Sequence, residues 1–292
     1  MFKLEKLELP KGGMNVGNGD EDCQYYFANA WKLEKITIWS DAQNGPVEIT
    51  DNAVTDKKLL DRVGKFMFAN CYGLSTKYIN RLIKNVTEIK NNAFFADDKN
   101  RDKFSDEEDN KMAIEIPNSV TKIGSQAFYN RVKVTGLNIH GNVGGLEIGS
   151  QAFRSCEQLN ALNLDNAKIT SLGTGVFGDC RSMTNEFVKG VLENYAANGG
   201  TKIPAYLFFG CNGQDGHDGS DANKNVCSFT QLNIPAQFSE IGDGAFASTG
   251  DAKIKLKTIT VNRKEAPTCY KGKRTNMQEL KIKECLMGWI QI

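Results

Sequence analysis

The sequence is short of the features that mark most function classes. It has no run near the roughly 18 apolar residues that a membrane-spanning helix needs. Neither sign of charge dominates: 36 basic against 35 acidic side chains leave +1. That balance removes the broad electrostatic case for nucleic acid or an anionic membrane as partner. The local cluster Lys271, Lys273 and Arg274 reads as a solvated turn in preference to a basic patch. Histidine is scarce, with only His140 and His217, although general acid–base chemistry usually recruits it or a tuned carboxylate pair. Gly-x-Ser-x-Gly, phosphate-cradling and dinucleotide motifs are all missing. Neither catalysis nor a cofactor is therefore expected. Eight cysteines in 292 residues are too few for a disulfide scaffold, and none form the Cys-x-x-Cys pairs or Cys/His spacings of a zinc site. The N-terminus, Met-Phe-Lys-Leu-Glu-Lys-Leu-Glu-Leu-Pro, alternates charge with apolar residues and does not read as a signal peptide. A cytoplasmic protein and a mature chain with its export signal removed both fit that reading.

What is present is a repeat. The segment Ile148-Gly-Ser-Gln-Ala-Phe-Arg-Ser-Cys156 returns at Ile123, Leu172 and Ile241, and more loosely at Val63, Ile89 and Ile203. The aligned phenylalanines are Phe27, Phe68, Phe94, Phe128, Phe153, Phe177, Phe208 and Phe246, half of the chain's 16. Self-similarity at such a period marks a solenoid, because one copy cannot bury its own apolar face and stacked copies can. The glycine after Ile123, Ile148, Leu172 and Ile241 is read as a tight turn where a side chain would clash. Cys71, Cys156, Cys180 and Cys211 all fall three residues past the phenylalanine, in a slot that Ala30 and Thr249 fill elsewhere. They are read as free, inert core thiols.

A second element follows the phenylalanine in most copies. Nine and eleven residues on lie Ile36 and Ile38, Leu137 and Ile139, Leu162 and Leu164. Displaced copies are Ile114 and Ile116, Leu232 and Ile234, Ile259 and Val261, with Leu7 and Leu9 opening the chain. Apolar residues at period two mark a short strand with one buried face. The side chains between and beside them point outward. They include Thr37, Trp39, Glu115, Asn138, His140, Asn163, Asp165, Asn233 and Thr260, a polar row with one aromatic that suits a protein surface or a glycan. A structural spacer with an ordinary solvated face is the alternative.

The stretch Ile114-Glu-Ile-Pro-Asn-Ser-Val-Thr-Lys-Ile-Gly-Ser-Gln-Ala-Phe128 resembles the BspA-type leucine-rich repeat, and the likeness runs over roughly residues 20 to 262. The resemblance implies an α/β fold: a right-handed leucine-rich-repeat solenoid, with short parallel strands on the concave face and short helical turns on the convex face. It also implies a secreted or surface-anchored bacterial protein that adheres to host matrix or to other cells. A monomer that recognises a protein or glycan ligand through the concave face is expected.

Residues 1–266 are assigned to about eight irregular repeats, with insertions at 97–111, 184–198 and 212–225. Residues 267–292 carry no repeat and are read as a cap over the open core. The first insertion is charged and is taken as a solvated loop. The second places Phe187, Val188, Val191, Leu192 and Tyr195 at helical spacing before Asn198-Gly199-Gly200, which predicts an amphipathic helix. In the third, Asp215, Asp218 and Asp221 are weak calcium candidates; the spacing is not that of an EF-hand, and a plain loop is preferred.

Overall fold

The computed structural model describes residues 4–10, 13–14, 25–41, 43–50, 59–104, 107–142, 144–211, 229–247, 258–262 and 268–269. The aligned phenylalanines build its spine. Rings of successive copies stack from Phe27 to Phe246 with centroids 5.2 to 5.9 Å apart and interplanar angles of 5 to 23°. Near-parallel rings at this separation gain dispersion beyond simple area burial.

The backbone around each ring was expected to be a short helical turn and takes a different form. Two residues before and two after the phenylalanine, φ is positive: Phe66 and Asn70, Gln126 and Asn130, Gln151 and Ser155, Tyr206 and Gly210. Alternating hands turn successive peptide planes over, so a helix cannot propagate. The N–H groups then divide into two sets. Those of Met67, Ala69 and Cys71 close turns onto Gly64, Phe66 and Phe68 within the copy, while those of Phe66, Phe68 and Asn70 donate to Asn91, Ala93 and Phe95 of the next. Every buried amide of the turn is met, half of them along the stack.

The repeat glycines act between copies. A Cβ on Gly173 would lie 2.4 Å from the Ser150 nitrogen of the preceding copy, and one on Gly149 2.6 Å from that of Ser125. Backbone meets backbone there, which only glycine permits; the expected clash is real, but it is a close approach rather than a turn.

Two rows of strands flank the spine. The first contains β1 (Lys6–Leu9), β2 (Lys35–Ser40), β3 (Gly45–Glu48), β5 (Ala113–Ile116), β7 (Gly136–His140), β9 (Ala161–Asp165), β12 (Gln231–Ile234) and β14 (Thr258–Val261). All seven apolar-x-apolar pairs therefore lie in strands. The second row is formed by the Ile-Gly segments: β4 (Glu88–Ile89), β6 (Lys122–Ile123), β8 (Leu146–Ile148), β10 (Ile169–Leu172), β11 (Lys202–Ile203), β13 (Glu240–Ile241) and β15 (Thr268–Cys269). Pairing is parallel except between β2 and β3. Of the expected cap 267–292, only β15 lies among the described residues, and it adds to β13.

The first row is broken into β1-β2-β3, β5-β7-β9 and β12-β14. Helix α1 (Thr76–Ile83) stands before β5 and α2 (Asn185–Ala197) before β12. The second is the helix expected at 184–198, started by Thr184, whose hydroxyl accepts from the Phe187 amide at 3.1 Å. Each helix satisfies strand groups with asparagine. Asn80 donates to the Ala113 carbonyl and accepts from the Glu115 amide; Asn194 donates to Ala167 and accepts from Ile169. A side-chain amide carries the same donor and acceptor as a peptide group, so Asn80 stands in for a strand beside β5 of the first row and Asn194 does the same at the edge of β10 in the second. Replacing Asn194 with leucine should cost about 1–3 kcal/mol in thermal or urea unfolding, since both backbone groups lose their partner.

The ladder cysteines are free and buried. Cys71, Cys156, Cys180 and Cys211 each donate to the preceding phenylalanine carbonyl, Phe27, Phe128, Phe153 and Phe177, at 2.9 to 3.3 Å. Burial raises the Cys71 and Cys156 thiols to about 12 and raises Cys180 as well. Thiolate is the reactive species, so iodoacetamide at pH 8 should leave Cys71 and Cys156 unlabelled until the chain unfolds, as peptide mass mapping would show.

Two copies depart from the small-residue slot, with Asp97 after Phe94 and Arg131 after Phe128. Arg131 is fully buried, and its Nε donates to the Phe94 carbonyl at 2.8 Å, the acceptor a cysteine thiol would otherwise use. Its Nη1 reaches the Cys71 carbonyl at 3.3 Å, and burial lowers the guanidinium to about 10. Phe104 from the 97–111 insertion lies 5.4 Å from this guanidinium and edge-on to Tyr72 at 5.2 Å. That insertion was taken as a solvated loop; its one phenylalanine anchors it as a lid on the buried charge.

Candidate functional site

Strands β5, β7 and β9 run in register, so Glu115, Asn138 and Asn163 lie side by side, as do His140 and Asp165. Period two turns these residues away from the core that holds Ile114, Ile116, Leu137 and Ile139. The Glu115 carboxylate accepts from Asn138 Nδ2 at 2.7 Å and meets His140 Nε2 at 3.0 Å. His140 Nδ1 stands 3.7 Å from Asp165 Oδ2, and Asp165 accepts from Asn166 at 3.1 Å. The imidazole thus bridges two carboxylates while 44% of its side chain stays exposed. Exposed pairs of this kind add little stability, so their consequence is a fixed pattern of polar atoms.

This row forms one side of a groove of about 880 Å³, lined by Glu115, His140 and Asp165 and, on the α1 side, by Lys77, Arg81 and Lys84. Spacings of four and three along the helix put those three cations on one face. Carboxylate oxygens from the strands thereby confront cationic donors from the helix. Lys77 also pairs with Asp109 at 3.4 Å.

The other expected residues lie elsewhere. Trp39 is 38% exposed on β2, opposite Pro46. Asn233 and Thr260 face one another across β12 and β14, beyond α2. Asn163 is exposed beside Asn138 but outside the groove lining. Thr37 was expected to point outward and is instead 2% exposed. Antiparallel β3 lies along β2 with Glu48 opposite Thr37, and Glu48 accepts from Tyr78 of α1 at 2.5 Å. A covered hydroxyl cannot meet a ligand. Asp215, Asp218 and Asp221 lie outside the described residues.

Sequence reading missed α1 and with it the cationic wall. The signal was available: nine residues past Phe68 stands Lys77, where a strand would place an apolar residue, and Tyr78, Ile79, Leu82 and Ile83 recur at helical spacing.

Among the described residues no helix is long and apolar enough to cross a membrane. The family model "BspA type Leucine rich repeat region" matches the chain in six copies, at residues 3–105, 100–215 and 219–284. No curated protein matches it. Among solved structures, a leucine rich cell surface protein from Faecalibacterium prausnitzii A2-165 is 17% identical with a TM-score of 0.31, over 89% of this chain and 79% of the other. A leucine-rich repeat protein from Bacteroides ovatus ATCC 8483 is 17% identical with a TM-score of 0.33, over 88% and 75%.

Proposed function

This chain belongs to the BspA-type leucine-rich repeat family, and from that premise we propose that it is a non-catalytic binding module of the cell surface or secreted space. Its ligand is a protein or glycan held on the outward face of β5, β7 and β9. The observation that carries the reading is the groove in which Glu115, His140 and Asp165 confront Lys77, Arg81 and Lys84. Stacked repeats leave outward side chains free to vary while the core is held constant, and function lives in such grafted sites. Residues 1–266 form the solenoid and 267–292 its cap in this reading, and the module works as a monomer.

The test is an array of glycans and matrix proteins probed with the chain and with His140→Ala, Asp165→Asn, Trp39→Ala and Asn163→Ala. Each groove change, at His140 or Asp165, should weaken a detected interaction by about tenfold, near 1.4 kcal/mol. The Trp39 and Asn163 changes should have less effect. Undiminished binding by both groove variants would sink the assignment, and no binding on any surface would favour a spacer.

A further inference from the structure

With the groove beside α1 taken as the ligand site, the arrangement of its charges narrows the ligand to one class. The two carboxylates, Glu115 and Asp165, stand on the strand side, and Lys77, Arg81 and Lys84 stand on the helix side. His140 holds both carboxylates in place, at 3.0 and 3.7 Å. Glu115 and Asp165 keep 42% and 60% of their side chains exposed, so a ligand can reach them. Lys77 and Lys84 are also exposed. The groove therefore offers acceptors along one wall and cationic donors along the other, all within reach of solvent.

Several classes fit this pattern badly. A polyanion would bring its charge against Glu115 and Asp165, and a polycation would meet the helix cations; like charges across an interface oppose association. No Phe, Tyr or Trp is among the described residues lining the groove, so a neutral sugar finds no ring on which to lay its C–H face. Strand addition is closed as well. Asn80 already takes the Ala113 carbonyl and the Glu115 amide at the edge of β5, and Pro117 beyond them has no N–H. Recognition falls to side chains of both signs carried close together, as on a protein surface. Glu115 and Asp165 lie two strand spacings apart, roughly 10 Å, which an extended peptide spans in about three residues. We infer that the groove takes an extended segment of another protein, with basic side chains over Glu115 and Asp165 and an acidic one over Lys77 and Lys84.

The probes are short blocked Gly/Ser peptides carrying two lysines and one glutamate in varied order and spacing, titrated calorimetrically into the full chain. At least one should bind, and glutamine in place of the lysines or of the glutamate should weaken it tenfold or more. Added salt should weaken it too. Lys84→Gln should lose a similar factor with the glutamate peptide and nothing with its glutamine version, the coupling expected of groups in contact. Asp165→Lys should reject the parent peptide and prefer one in which a lysine has become glutamate. Both positions are exposed, so melting temperatures should stay near that of the unaltered chain, which separates lost binding from lost folding. No binding by any peptide, or equal binding by the glutamine versions, overturns the inference. So does a ligand that His140→Ala weakens and that is indifferent to Lys84→Gln and Asp165→Lys, as a neutral glycan would be; that result leaves the groove reading standing. Failure of the groove reading itself shows separately, in the glycan and matrix arrays with His140→Ala and Asp165→Asn.

Discussion

Truncating Phe128 to alanine lowers the stability of the chain by about 3–5 kcal/mol, the cost of a large buried aromatic lost with its cavity left open. The ring is fully buried between Phe94 and Phe153, with centroids 5.3 and 5.2 Å away. Its neighbours cannot close the gap, because their backbones are fixed in register by the Phe94-to-Ala127 and Phe128-to-Ala152 hydrogen bonds. Stability in a stack is a sum of copies and interfaces, and this change weakens two interfaces at once. Phe246 is only partly buried, so Phe246→Ala should lose clearly less. Urea unfolding of both variants checks the contrast, and equal losses would refute a spine whose contribution depends on its two neighbours.

Gly173→Ala is expected to cost about 3 kcal/mol, the upper end of overpacking, for the addition of one methyl group. The new Cβ meets Ser150 N at 2.4 Å, Ser150 Cα at 2.7 Å and Gly149 C at 2.8 Å, all backbone. No flexible side chain is there to give way. The two copies must separate, which stretches the Gly173 N to Ile148 O bond now at 2.8 Å. At Gly199, where a Cβ would touch nothing but φ is +101°, alanine introduces backbone strain without parting two copies. Circular dichroism melts should show Gly173→Ala as the more damaging; the reverse order would mean that the copies are not in backbone contact at this glycine.

These two positions also show why much of the fold could be read from sequence. Phe128 and Gly173 recur at fixed offsets, and recurrence reveals a demand that every copy shares. The strands and α2 were legible for related reasons: one repeats, and the other is long enough to display a helical period. What escaped occurs once. Helix α1 is eight residues long and sits inside a copy, so the repeat's own pattern hid it. Strand β3 pairs antiparallel, and covering Thr37 is a tertiary consequence that alternation cannot announce. Arg131 stands in a slot that cysteine fills elsewhere, held there by the Phe94 and Cys71 carbonyls and covered by Phe104 from the insertion.

The candidate site divides along the same line. Glu115, His140 and Asp165 were reachable because each sits beside an apolar pair of a strand. Their partnership with Lys77, Arg81 and Lys84 was not, since it depends on a helix replacing a strand. The outward row is consequently three separate segments rather than a continuous surface, and one segment alone carries the groove.

The central claim is that the phenylalanine spine runs unbroken past both helices while the first strand row is interrupted there. Native-state hydrogen exchange tests it directly. The amides of Phe68, Phe94, Phe128, Phe153 and Phe177 each donate to the next copy, and they should exchange only through global opening, as the slowest set in the chain. Protection should continue without a step across residues 68–94 and 177–208, where α1 and α2 intervene. Fast exchange of Phe68 or Phe177, at rates like those of loop amides, would contradict a continuous spine.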